Sequence, residues 1–220
     1  MTKLAVISAT RVSLEPVEQT AARQFPNVEL VHFLDESMSL MAKQSGGRIT
    51  PSNLCRMVGH IHRANVNGAD GILLSCTIFS PYAEILQSFS EAPLAAADVA
   101  AFEKAAELYK KIGVVVTFEP TLLSVKTVVD NCNAKIAPVE ADIRLAKGAF
   151  EALTQGDEET HIRLICSCAE ALAKDCDAVV LSQMSQLRAL PMLSHLKVPV
   201  LSTPALSMEA LLDKIKRSQL

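Results

Sequence analysis

The chain repeats itself once, and this repeat constrains its fold more than any other feature. Three pairs of segments match in the same order at an offset of 106 to 108 residues. The pairs are residues 3–8 with 111–116, residues 70–75 with 177–182, and Pro93 with Pro199. Matches in order at nearly constant spacing predict two homologous halves, at residues 1–105 and 106–220.

Each half reads as an alternation of short strands and helices. The run at residues 72–74 is apolar throughout, as expected of a strand that is covered on both faces of a parallel sheet. The pattern predicts an α/β fold with two pseudosymmetric halves, each a four-stranded parallel sheet flanked by helices. The carboxyl ends of both sets of strands would then meet at one cleft, where ligand sites are common.

Residues typical of helix N-termini locate the helices of the first half. Helices are predicted over residues 14–24, from Asp35 or Ser37 to about 43, from Thr50 with Pro51 to about 66, from Ser80 as N-cap with Pro81 to 89, and from Asp98 as N-cap to 110. The loop at residues 44–50 contains paired glycines, which makes it a candidate lid over the cleft.

Composition narrows the classes of function. Half of the residues are hydrophobic, the net charge is −3, and no run of Lys or Arg occurs, so a nucleic-acid partner is not expected. The apolar stretches are too short to span a membrane, and residues 1–20 do not have the pattern of a signal peptide. We therefore expect a cytoplasmic protein with no membrane partner.

The six cysteines form no CxxC pair and predict neither a zinc site nor a disulfide framework. The five histidines are scattered, so no metal site is predicted. Cys76 differs from the other cysteines because it follows a buried strand and precedes a helix start. Free amides and the positive helix end at such a position favour an anion, a thiolate included.

The duplication, the pair Cys76-Thr77 after the third strand, and the loop Thr117-Phe-Glu-Pro-Thr121 that opens the second half together resemble the aspartate/glutamate/hydantoin racemase superfamily. The resemblance covers the whole chain. It implies cofactor-free chemistry in which two thiols flank the α-carbon of a small acid, an amino acid or a hydantoin-like substrate. It also implies that backbone amides and hydroxyls at the strand ends bind the carboxylate. The expected binding residues are Ser8, Thr10, Ser75, Thr77, Thr117, Thr121 and Ser185.

The chain departs from this pattern at the second thiol. The position equivalent to Cys76 in the second half is Gln183, and an amide neither gains nor loses a proton near pH 7. We still expect Cys76 and Gln183 to be the catalytic pair, in a racemase or isomerase that needs no cofactor. Arg11 is a candidate for holding a second carboxylate. A homodimer is the default expectation for such a fold.

Three mechanisms remain open at this point. Cys76 could act alone on one face, as in superfamily members that decarboxylate malonate-type acids. Another group, such as Ser185, a water held by Gln183 or a histidine, could replace the missing thiol. Cys76 could instead attack an electrophilic carbon as a nucleophile. A protein that binds small acids without catalysis is the alternative of a different class.

Overall fold

The computed structural model describes residues 1–219 and contains two four-stranded parallel sheets. The first sheet has the strand order β2-β1-β3-β4 and the second has the order β6-β5-β7-β8, so their topologies are identical. The strands are β1 (Thr2–Ser8), β2 (Val28–Leu34), β3 (Gly71–Leu74), β4 (Leu94–Ala96), β5 (Lys111–Val116), β6 (Glu140–Leu145), β7 (Ala178–Leu181) and β8 (Val200–Ser202). The predicted fold class is confirmed.

Helices cover both faces of each sheet. They are α1 (Leu14–Gln24), α2 (Ser37–Gln44), α3 (Pro51–Val66), α4 (Ala83–Gln87), α5 (Val99–Leu108), α6 (Leu122–Lys135), α7 (Ala149–Thr154), α8 (Glu158–Leu172) and α9 (Thr203–Ser218). Helix α3 begins as predicted, because the Thr50 hydroxyl accepts a hydrogen bond from the Asn53 amide. No helix within residues 1–219 combines the length and apolarity needed to cross a membrane.

The prediction that Ser80 caps a helix is wrong. The chain enters a 3₁₀ helix directly after Cys76, over Thr77–Tyr82, so Ser80 and Pro81 lie inside this tight segment. Helix α4 follows it and ends two residues earlier than expected. Asp98 does occupy the N-cap position of α5, but its side chain makes no capping hydrogen bond.

The sequence repeat corresponds to hydrogen bonds that recur in both halves. The backbone amides of Lys3 and Lys111 donate to the carboxylates of Asp70 and Asp177, at 2.7 and 2.9 Å. Two further bonds recur in the same way: the hydroxyls of Ser75 and Ser182 donate to Ile7 and Val115, and the carbonyls of Pro93 and Pro199 accept from Ile72 and Val179. The matched residues therefore join neighbouring strands, which explains why they repeat.

The two halves exchange their last helices. Helix α9 lies against the first sheet, where Met208, Leu211 and Ile215 pack in one cluster with residues of β1 and β3. Helix α5 packs in the same way against β5 and β7 of the second sheet. The predicted boundary between residues 105 and 106 falls inside α5, so the sequence repeat does not coincide with two separately packed units.

Candidate functional site

A cavity of about 50 Å³ lies where loops from the carboxyl ends of both sheets come together. The loops after β1, β3, β5 and β7 all contribute to it, and α2 and α7 add one residue each. The lining residues are Ala9, Thr10, Val12, Ser13, Ser39, Ser75, Cys76, Thr77, Ile78, Phe118, Thr121, Phe150, Gln183, Met184 and Ser185. Both halves therefore build one shared site.

Cys76 lies two residues beyond the end of β3, at the N-cap of the 3₁₀ helix. Burial raises the pKa of its thiol to about 12, the Ile78 amide opposes this by hydrogen bonding, and the negative charge of Asp98 raises the pKa further. The side chain is still partly accessible from the cavity. Cys76 is therefore a neutral thiol near pH 7, and is better prepared to donate a proton than to accept one.

Asp98 lies beside Cys76 because of the strand register. Leu74 of β3 pairs with Ala96 of β4, and these are the last residues of the two strands. Cys76 and Asp98 each follow two residues later. Asp98 is fully buried, and neither carboxyl oxygen has a hydrogen-bond partner of good geometry within residues 1–219. Burial raises its pKa to about 7, although the nearby Ser80 hydroxyl opposes the shift. A carboxyl group that titrates near neutrality thus lies behind the thiol.

Gln183 occupies the equivalent place in the second half, two residues beyond the end of β7. Its Oε1 accepts hydrogen bonds from the Thr117 amide at 2.6 Å, the Thr117 hydroxyl at 2.8 Å and the Gln186 side chain at 3.1 Å. Because a backbone amide can only donate, this network fixes the orientation of the side-chain amide. The Nε2 group makes no hydrogen bond in the described part of the chain, so it remains a donor at the cavity.

Two hydroxyls at the cavity are also without a hydrogen-bond partner among residues 1–219. They belong to Thr10, after β1, and Ser185, after β7. Together with Nε2 of Gln183 they provide three donors at the cavity surface. Neutral donors of this kind suit a carboxylate.

The other predicted binding residues already use their hydroxyls within the protein. The Thr77 hydroxyl donates to the Ser182 carbonyl across the two halves at 3.3 Å, and that of Thr121 donates to the Phe118 carbonyl at 2.6 Å. Both residues line the cavity and can still accept a hydrogen bond.

Ser8 and Thr117 do not line the cavity. The Ser8 hydroxyl is fully buried and lies 2.7 Å from that of Ser75, which in turn donates to Ile7. Thr117 holds Gln183 through its amide and its hydroxyl, as described above. Both residues therefore support the loops that form the site.

The sequence did not single out the aromatic wall of the cavity. The rings of Phe118 and Phe150 lie 4.5 Å apart between centroids, and both are almost fully buried. Phe118 could have been found, because it belongs to the Thr117–Thr121 loop. Phe150 comes from the first turn of α7, shortly after the end of β6, and no motif marks it.

The remaining charged candidates lie outside the cavity. Arg11 is exposed and forms an ion pair with Glu36 at 3.0 Å, while Glu119 is exposed on its loop. Residues 1–219 contain no group of three or more His, Cys, Asp or Glu side chains that could hold a metal ion. The six cysteines are all free thiols.

The glycine-containing loop lies against the second half. A Cβ atom at Gly47 would lie 2.1 Å from the Pro120 carbonyl oxygen, and this glycine has a positive φ of 84°. The preceding Lys43 places its ammonium 5.5 Å from the Phe118 ring centroid and 5.4 Å from that of Phe150. The segment predicted as a lid therefore packs against Pro120 of the loop beside the cavity, and Lys43, just before this segment, lies over the two rings.

The model of the Asp/Glu/hydantoin racemase family matches residues 5–211. The chain belongs to this family. A sequence search of curated proteins found no match. The match to the family model extends across both sheets, so the resemblance seen in the sequence is confirmed at the level of the family.

Solved structures of similar fold include racemases and a decarboxylase. The aspartate racemase of Picrophilus torridus is 12% identical with a TM-score of 0.75, over 98% of this racemase-family chain and 95% of that chain. The allantoin racemase of Klebsiella pneumoniae is 16% identical with a TM-score of 0.73, over 99% and 89%. A cysteine-for-glycine variant of arylmalonate decarboxylase is 17% identical with a TM-score of 0.67, over 97% and 93%. At such identities these likenesses establish the fold alone.

Proposed function

We propose that this racemase-family protein is a cofactor-independent enzyme that transfers a proton at the carbon α to the carboxylate of a small acid. The observation that supports it best is the composition of the cavity. It holds one thiol, Cys76, together with three donors free of partners, from Thr10, Gln183 and Ser185. A thiol and a group of neutral donors are the minimum set for exchanging a proton next to a bound carboxylate.

The free donors bind the substrate carboxylate in this proposal. In this mechanism the thiolate of Cys76, which is the minor form near pH 7, removes the α-proton, and the electron pair of the C–H bond is delocalised into the carboxylate as an enediolate. Hydrogen bonds to those oxygens strengthen as their charge grows, which lowers the barrier. The thiol exchanges its proton with solvent, and transfer of the solvent-derived proton from sulfur to carbon completes the exchange and restores the thiolate. Gln183 positions the carboxylate and takes no part in proton transfer.

The proton is exchanged on one face of the substrate. Cys76 is the only titratable side chain that lines the cavity within residues 1–219. Gln183 is its counterpart in the other half, so the opposite face meets an amide and the Ser185 hydroxyl. Racemisation requires Ser185, or a water held beside it, to deliver the second proton.

Decarboxylation is the second candidate, and the state of the thiol favours it. Burial raises the pKa of Cys76 to about 12, so the thiol is protonated at pH 7 and the resting site holds a proton donor. Loss of CO₂ from a malonate-type acid leaves the electron pair of the broken C–C bond as an enediolate. The Cys76 thiol then protonates the carbon, and water restores the thiol proton. One acid suffices for this reaction.

Proton NMR in D₂O tests the proposal. The protein is incubated with small 2-substituted carboxylates, amino acids, hydantoins and substituted malonates, and the α-proton signals and CO₂ release are followed. Cys76→Ser is expected to abolish turnover, whereas Cys55→Ser, a change at an exposed cysteine, is the matched control and should leave it intact.

The stereochemistry of the exchanged product separates the mechanisms. Exchange with retention of configuration shows proton transfer on one face, and inversion shows that a group on the Gln183 side acts as an acid. Release of CO₂ identifies the decarboxylase. Full activity of Cys76→Ser would refute the role of the thiol, and binding without any chemistry would identify a small-acid binding protein.

A further inference from the structure

The lining of the cavity carries no charge. Among the described residues, every side chain on its surface is apolar, a hydroxyl, a thiol or the Gln183 amide. Burying a charge without a partner is costly, so a site of this composition discriminates strongly by charge. The free donors described above compensate one carboxylate. A second ionised group on the substrate would have no partner there.

Most of the apolar lining belongs to one buried cluster, and Met184 belongs to another. Ala9, Ile78, Phe118 and Phe150 belong to a single cluster of buried side chains, and Cys76 packs against the same cluster. The thiol is therefore at the border of an apolar surface. A substrate whose α-carbon is next to the sulfur must place one of its substituents on this surface.

Three positively charged side chains near the cavity, Arg11, Lys43 and Arg188, contact other groups of the protein. Arg188 is largely buried, and its guanidinium forms ion pairs with Glu15 at 2.7 Å and Glu158 at 3.3 Å. Arg11 is paired with Glu36 on the surface, as described above. Lys43 is exposed and lies over the aromatic rings, outside the cavity lining. None of these three side chains lines the cavity.

A substrate ammonium group has no suitable partner either. The Oε1 atom of Gln183 already accepts three hydrogen bonds, and no carboxylate lines the cavity within residues 1–219. Hydroxyls from Thr10, Thr77, Thr121 and Ser185 can accept hydrogen bonds from an ammonium group, but none of them carries the negative charge that would compensate it. An α-amino acid therefore fits this lining less well than an acid without an amino group.

We propose that the substrate is a monocarboxylate whose α-carbon carries a short, uncharged, apolar substituent that packs against Phe118 and Phe150. The proposal rests on the proposed function, which places the carboxylate on the free donors. This charge selectivity separates the chain from an enzyme for dicarboxylic amino acids, and it also counts against the decarboxylation of malonate-type acids, which carry two carboxylates. The cavity is small, at about 50 Å³, which favours a substituent of only a few carbons.

Calorimetry with two matched acids tests this inference. The pair is 2-methylbutanoate and methylsuccinate, which differ only in the replacement of a terminal methyl group by a second carboxylate. The protein is expected to bind 2-methylbutanoate at least about 10-fold more tightly, because the second charge loses its hydration without gaining a partner. Phe150→Arg is expected to reverse the preference, and Phe150→Leu is the matched control that keeps the wall apolar.

Tighter binding of methylsuccinate by the unmodified protein would overturn the inference, as would binding of neither acid. Phe118→Arg provides an independent variant if Phe150→Arg does not fold. Exchange of α-protons is measured separately on the same two acids. Selective binding without α-proton exchange refutes the proposed function and supports the charge selectivity. Exchange of the α-protons of both acids, with equal affinity for both, supports the proposed function and refutes the charge selectivity.

Discussion

Replacement of the buried Asp98 by asparagine is expected to stabilise the protein in a pH-dependent way. Asp98 is fully buried, neither of its oxygens has a hydrogen-bond partner of good geometry in the described part of the chain, and burial raises its pKa to about 7. Asparagine has nearly the same shape but cannot ionise. Asp98→Asn therefore removes the cost of a buried charge and leaves the packing of α5 in place.

The magnitude follows from the two pKa values. The carboxyl titrates near 3.8 in the unfolded chain and near 7 in the folded protein, so the unfolded chain binds fewer protons between these values. Stability is consequently lost as the pH rises through this window, and the loss levels off above pH 7. At about 1.4 kcal/mol for each pH unit, the raised pKa of Asp98 lowers the free energy of unfolding by about 2 kcal/mol at pH 5 and by about 4 kcal/mol at pH 8.

Urea denaturation at pH 5 and pH 8 measures the effect. The free energy of unfolding of Asp98→Asn, relative to the unmodified protein, should increase by about 2 to 3 kcal/mol between the two pH values. Asp130→Asn, a change at an exposed residue of α6, is the control and should show no such increase. A difference for Asp98→Asn that is the same at both pH values would refute the argument that Asp98 ionises within the folded protein.

The same variant reports on the thiol. The charge of Asp98 contributes to the raised pKa of Cys76, so its removal should lower that pKa. The pH at which Cys76 reacts half-maximally with iodoacetamide is therefore expected to fall in Asp98→Asn. An unchanged reactivity profile would show that the two side chains are not electrostatically coupled.

Three further substitutions test the packing of α9 on the first sheet and of the loops beside the cavity. Gly71→Ala should destabilise the protein by about 1 to 3 kcal/mol in urea denaturation, because its Cβ would lie 2.6 Å from Cδ1 of Ile215, and Ile215→Val should recover part of the loss. Gly47→Ala forces a positive φ and a clash, so limited proteolysis should cut the loop at residues 44–50 faster, and an unchanged rate would contradict the packing described. Thr117→Val removes one hydrogen bond to Gln183 and should weaken carboxylate binding in calorimetry about 5-fold, with a loss of stability of about 1 kcal/mol.

The sequence predicted the strands well because the repeat marks the residues that join them. Asp70 and Asp177 are required by the backbone amides of two strands, so both the motif and its spacing carry structural information. The start of α3 was equally predictable, since Thr50, Pro51 and Asn53 form a local cap. The cap depends only on residues close in the chain, and the strand bonds of Asp70 and Asp177 repeat in both halves, so both features can be recognised in the sequence.

The features that were not predicted depend on distant contacts. Ser80 carries the local pattern of an N-cap, but the connection from Cys76 is short enough to form a 3₁₀ helix that encloses it. The local sequence predicts only that Asp98 caps α5. Its burial follows from the register of β3 and β4 and from the helices that cover them, which the local sequence does not encode. Phe150 reaches the cavity only through the packing of α7, which no local pattern encodes.

The exchange of α5 and α9 bears on how the chain acquires its structure during synthesis. Helix α9 follows every strand in the chain, yet it covers a face of the first sheet, where Leu211 and Ile215 pack beside Gly71. While the second half is still being translated, this apolar face of β1 and β3 lacks its final helix. The first half therefore cannot complete its fold before the second half is made. A nascent chain that stalls before residue 203 exposes this apolar face of the first sheet, and exposed apolar surface of this kind is prone to aggregation and is bound by chaperones.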